Sequence, residues 1–235
     1  MVLPIKIFEI REDVNLGSVA ESLRNFHEEE PYETLDEEKV TLVTAVLDLK
    51  QEEDLLTGVF SRDYIRSRHY RRKVVETPVT EEAPFCVKPF GNRTFLMVLA
   101  PSVARGVKKL LTNHVANKIS EILFNTAGGI TEVRIAHETL KELHESNPRA
   151  TKLIWFDDVD IPSIEKLCLA GSGLADTNLY KDYIEHGKIW YVVFEIQRRQ
   201  ITVGITRSSV VTLFSKSTVE DFIKYIMEDV LTLVE

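Results

Sequence analysis

Little in this chain marks a familiar chemistry, and each shortage excludes something. There are two cysteines in 235 residues, Cys86 and Cys168, far apart and each in an apolar setting. That argues against a disulfide and predicts reduced core thiols in a cytosolic protein. No apolar run approaches the roughly 20 residues that cross a bilayer, so no membrane association is expected. The opening Met-Val-Leu-Pro-Ile-Lys-Ile lacks the apolar stretch and cleavage site of a secretory signal. His137-Glu138 is followed by Lys141 where a helical zinc motif needs histidine, and the next histidine is His144. Gly171-Ser-Gly173 has no Gly-Lys-Ser/Thr after it, as a phosphate loop requires, and is not a nucleophile elbow. No internal repeat or low-complexity tract is present, and no cofactor is expected. Excess positive charge is also missing: the net charge is −8, so the molecule as a whole repels a phosphate backbone. Any contact with nucleic acid must be local.

What is present is ample for a core, with 44% hydrophobic and 28% charged residues. The organising stretch is Arg93–Phe124. Phe95–Ala100 is an unbroken apolar run, as expected of a strand covered on both faces. After Pro101, Val103, Val107, Leu110, Leu111, Val115, Ile119, Ile122 and Leu123 recur at three and four residues, one side of a long helix from Ser102 onward. Strands are expected at Pro4–Ile10, Val40–Leu49, Leu55–Phe60 and Phe85–Phe90. A first helix follows a Ser18/Glu21 capping box, with Val19, Leu23 and Phe26 facing inward. The acidic stretches after His27 through Glu38, and Thr80–Ala83, read as solvated loops.

The adjacent glycines of Thr126–Gly129 end the long helix and mark a boundary. In the second half, strands are expected at Thr131–Ala136, Thr151–Phe156, Lys188–Ile196, Gln200–Thr206 and Val210–Phe214. Helices are expected at Glu138–Ser146, Ser163–Leu167, Thr177–His186 and after a Ser217/Glu220 capping box. The expectation is an α+β protein of two packed subdomains, 1–127 and 130–235, with mainly antiparallel sheets each covered by a long amphipathic helix.

The most informative feature is a charge reversal. Arg62, Arg66, Arg68, Arg71, Arg72 and Lys73 crowd one segment, interleaved with Tyr64, His69 and Tyr70. On a strand, Tyr64, Arg66, Arg68, Tyr70 and Arg72 share one side. Guanidinium groups pair with phosphates and rings stack on bases, so this surface suits nucleic acid. An exposed edge strand kept from aggregating by its charges is the plainer explanation. Arg105, Lys108 and Lys109 add a short basic helix face. Asp157, Asp158 and Asp160, with Glu165 nearby, are the alternative: carboxylates at a strand end that could hold a divalent metal in a phosphodiesterase. Against that, Asp160 before Ile-Pro-Ser is a natural helix-start residue. Trp190, Tyr191 and Phe194 read as core.

The strand and long helix of Arg93–Phe124, the hairpin Trp190–Thr206 running on to Val210–Phe214, and the capped helix Ser217–Val230 resemble, in layout, the N domain and linker domains of Argonaute proteins. That resemblance implies a non-catalytic chain, a heterodimer with a truncated Argonaute, and contacts to a guide–target duplex. The chain is expected to be a cytosolic, non-catalytic binding or assembly subunit. The alternatives are the metal-dependent phosphodiesterase and a protein-only adaptor, which would show an exposed apolar patch or an unpaired sheet edge.

Overall fold

In the computed structural model, residues 2–100, 107–215 and 217–235 are described, without the side chains of residues 107–110. Val103 and Arg105 therefore lie outside the described residues, as do the side chains of Val107, Lys108, Lys109 and Leu110.

The described residues form one twelve-stranded sheet. Its strands are β1 (Leu3–Ile10), β2 (His27–Glu33), β3 (Lys39–Glu52), β4 (Leu55–Tyr70), β5 (Lys73–Phe90), β6 (Arg93–Leu99), β7 (Ile130–Glu132), β8 (Thr151–Asp157), β9 (Leu167–Ala170), β10 (Lys188–Ile196), β11 (Ile201–Thr206) and β12 (Val210–Leu213). The order is β2-β3-β4-β5-β6-β1-β12-β11-β10-β8-β9, with β7 beside β1. This corrects the expectation of two sheets, each under its own long helix. The helices are α1 (Leu16–Leu23), α2 (Val107–Phe124), α3 (His137–Ser146), α4 (Asn178–His186) and α5 (Val219–Tyr225). Among them α2 alone is long, and α5 passes after seven residues into a π turn, Ile226–Val230.

The chain divides into two compact units, Phe8–Thr131 and Met1–Ile7 with Glu132–Glu235. In the first, Phe95–Ala100 are all buried, as a strand covered on both faces requires. Leu111, Val115, Ala116 and Ile119 of α2 and Leu16, Val19, Ala20 and Leu23 of α1 pack on Leu56, Phe60, Phe85, Val87, Leu96 and Val98. The inward stripes expected of both helices are present wherever their side chains are described, except that Phe26 lies beyond the end of α1 and packs on the same core from there. The N-cap of α1 is Asn15, whose side chain accepts from the Ser18 amide, so Ser18 is capped and does not cap. The left-handed residue closing α2 is Asn125 (φ 55°), not a glycine. Gly129 serves close approach instead: a Cβ there would meet the Phe124 ring at 2.2 Å.

In the second unit, Ile154, Phe156, Val192, Val203, Ile205, Val211 and Leu213 are buried strand residues, joined by Leu140 of α3 and Phe222 of α5. Ser163–Leu167 is not a helix: Ser163 is left-handed and Leu167 opens β9. The α5 cap is Thr218, accepting from Asp221, one residue later than expected. Arg198-Arg199 lie in a single 3-10 turn, Gln197–Arg199, before β11. Cys86 is a buried thiol, whereas Cys168 on β9 is exposed, which corrects its assignment to the core.

The acidic segment read as a loop is the edge strand β2, paired from His27↔Ala45 to Glu33↔Lys39. The Val46 amide donates to the Phe26 carbonyl, so in an antiparallel ladder positions 28, 30 and 32 bond β3 while 27, 29, 31 and 33 face away. Pro31 therefore stands where no donor is needed and removes one from the open edge. With its glutamates, it keeps β2 from recruiting another strand.

Candidate nucleic-acid interface

The basic segment is the end of a long hairpin. β4 and β5 pair without interruption from Leu56↔Val87 to Tyr70↔Lys73, so Thr80–Ala83, expected in a loop, is strand. Arg71 (φ 46°) and Arg72 (φ 66°) are the two turn residues. Two left-handed residues in a two-residue loop make a type I′ turn, which ordinarily selects Asn-Gly. The absence of that signal hides the hairpin from the sequence.

Pairing of β3 with β4 stops at Thr44↔Arg62, and β5 meets β6 only from Phe85 onward. Between Asp63↔Thr80 and Tyr70↔Lys73 the hairpin is thus a two-stranded ribbon. By alternation, Tyr64, Arg66, Arg68 and Tyr70 share one face with Lys73, Val75, Thr77 and Val79. Arg72 lies in the turn rather than on that face. Residues 66–74 are all exposed, and Tyr70 is 58% exposed.

The ribbon separates its charges. Asp63 and Glu76 lie on the opposite face and are tied to the β2–β3 arm. The Asp63 carboxylate accepts from the Val43 amide (3.1 Å) and the Thr80 hydroxyl (2.6 Å). That of Glu76 accepts from the Leu35 amide (3.0 Å) and the Tyr32 hydroxyl (3.3 Å). Glu81, on the cationic face, accepts from the Tyr64 hydroxyl at 2.5 Å, and Arg66 donates to that hydroxyl at 2.7 Å while lying 3.9 Å from Glu81. The bond to Glu81, then burial, raises the Tyr64 phenol above its ordinary pKa, with Arg66 opposing. Arg71 lies over the Tyr70 ring, 5.5 Å from its centroid. Among the described residues Arg68, Arg71, Arg72 and Lys73 have no carboxylate partner.

At the ribbon's base, Arg62 donates to His114 of α2 at 2.7 Å. Burial, then the charges of Arg62 and Lys118, lowers the His114 pKa, with Glu121 opposing. These side chains border a groove of ≈ 380 Å³ with Tyr32, Leu42 and Tyr64. Lys118 is neutralised by Glu28 (2.7 Å) and Glu121 (3.6 Å), so the described part of the α2 face is less basic than its sequence suggests.

Protein-family models and curated proteins give no match to this chain.

Of the carboxylates proposed for metal, Asp157 and Asp158 already have cationic partners and Asp160 has a histidine. Arg207 contacts Asp157 at 2.6 Å and Asp158 at 3.5 Å, Lys188 reaches Asp158 at 4.0 Å, and Asp160 receives His186 at 2.8 Å. Glu165 is exposed. Among the described residues no three His, Cys, Asp or Glu side chains converge as a metal site, and no helix is long and apolar enough to cross a membrane.

Sequence reasoning found the cations but missed Asp63, Glu76 and Glu81, which position the ribbon and its tyrosine. Their register follows from the turn at Arg71-Arg72, which nothing in the residue types announces.

Proposed function

We propose that this chain is a non-catalytic binding subunit that holds nucleic acid with the basic end of the β4–β5 ribbon. The supporting observation is the segregation of charge across the ribbon. Arg66, Arg68, Arg71, Arg72 and Lys73 occupy one face and the tip, while Asp63 and Glu76 are held on the other by backbone amides and hydroxyls. A chain of net charge −8 keeps these cations free of carboxylates, apart from Arg66 beside Glu81. Planar, forked guanidinium groups pair bidentately with phosphate oxygens as they do with carboxylates. The backbone would be contacted without reading its sequence.

The layout resemblance to the N and linker domains of Argonaute supplies the proposed setting: a cytosolic heterodimer in which a second subunit carries any catalysis. Arg105, Lys108 and Lys109 are further candidate phosphate contacts on the strength of the sequence alone.

The test compares nucleic-acid affinity of the wild type with a variant carrying Arg66→Glu, Arg68→Glu and Arg72→Glu. Losing three phosphate contacts costs about two orders of magnitude or more at moderate salt. Equal affinities, or none in either protein, would remove the proposal for the chain alone.

A further inference from the structure

The ribbon's construction selects among nucleic acids, an inference that rests on the reading just given. Single-strand binders offer successive aromatic faces on which bases stack. Here Tyr64 is half-buried, with its hydroxyl donating to Glu81 and accepting from Arg66. The exposed ring, Tyr70, stands alone near the tip with the Arg71 guanidinium 5.5 Å from its centroid. The cationic face holds no open run of rings for a single strand to climb.

The shape favours a groove instead. From Asp63↔Thr80 to Tyr70↔Lys73 the ribbon extends eight paired positions, about 25 Å at the rise of an antiparallel strand. Among the described residues neither long edge carries a further strand. The major groove of B-form DNA, about 12 Å wide, admits such a two-stranded ribbon. The deep, narrow major groove of A-form RNA does not. Cations on one face and at the tip then lie between two phosphate backbones, while Glu76, the acid nearest the tip, is held on the far face by Tyr32 and Leu35.

We infer that the ligand is double-stranded DNA, entered through its major groove by the β4–β5 ribbon end, with Arg66, Arg68, Arg71, Arg72 and Lys73 on the flanking phosphates. If all five make contact, affinity falls about 500-fold between 50 and 200 mM salt. The variant Arg71→Asn/Arg72→Gly keeps a type I′ turn and removes two contacts, so its fall over the same range is about 40-fold.

The experiment measures binding of the full chain to duplex DNA, single-stranded DNA and duplex RNA of equal length, by fluorescence anisotropy at several salt concentrations. Protection of guanine N7 from dimethyl sulfate, which reports the major groove, is read alongside. Expected are at least tenfold preference for duplex DNA, N7 protection and the two salt dependences. Comparable affinity for single strands or duplex RNA, or unprotected N7, with the turn variant still weakened, would overturn the groove inference and leave the basic-surface reading standing. No binding to any of the three, or a turn variant identical to wild type in all of them, would remove both.

Discussion

Replacing Arg71-Arg72 by Asn-Gly has opposite consequences for stability and for binding. Both residues sit at positive φ, 46° and 66°, where a side chain crowds the following carbonyl. The left-handed conformation costs about 1–2 kcal/mol for an ordinary L-residue. Asparagine tolerates it better, and glycine escapes the clash at an entropic cost of up to about 1 kcal/mol. The net expectation is a gain of about 1–2 kcal/mol, to which relief of repulsion among Arg68, Arg71, Arg72 and Lys73 adds. In a chain of this length that raises the Tm by roughly 2–8 °C. Thermal unfolding followed by circular dichroism at 50 and 500 mM salt separates the contributions, because repulsion is screened and backbone strain is not. The strain part persists at high salt. The control Arg71→Lys/Arg72→Lys keeps both strain and charge, and leaves the Tm within about 1 °C. An unchanged or lower Tm for Asn-Gly at both salt concentrations would refute the claim that these arginines occupy their turn at a structural cost.

Three further outcomes are expected. Gly129→Ala should lower stability by about 1–3 kcal/mol, because its Cβ would lie 2.2 Å from Phe124, whereas Gly128→Ala, with nothing closer than 3.9 Å, should be nearly neutral by chemical denaturation. Pro31→Thr with Glu29→Thr restores a donor and removes a charge at the outward edge of β2, so sedimentation should show stronger concentration-dependent self-association than the wild type under the same conditions. Burial holds His114, His137 and His144 below their ordinary pKa of 6.5. The unfolded chain therefore takes up protons first as pH falls, so stability contributed above about pH 6.5 is lost below it, read as a Tm that drops between pH 7.5 and 5.5. A Tm that rises over that range would contradict it.

Legibility in the sequence followed locality. The Phe95–Ala100 run was readable because a strand buried on both faces is apolar throughout, and the stripes of α1 and α2 because a single period buries them on one side. The edge strand β2 was not, since its residues are too acidic to alternate in hydropathy and its partner β3 alone makes it a strand. The same holds for Thr80–Ala83, drawn into β5 by pairing with β4. A single sheet instead of two was hidden for a related reason: strand order is set by pairings remote in sequence, such as Leu3↔Leu213. The cations of the interface were visible as composition. Their separation from Asp63 and Glu76 was not, because it depends on a register fixed by a turn without asparagine or glycine.

The central claim, that the end of the β4–β5 ribbon is where nucleic acid is held, is tested most directly by amide hydrogen exchange of the full chain with and without duplex DNA. The account predicts slowed exchange concentrated in residues 62–80, with the β10–β12 strands unchanged. Protection centred elsewhere, or none at concentrations where binding is otherwise complete, would contradict it.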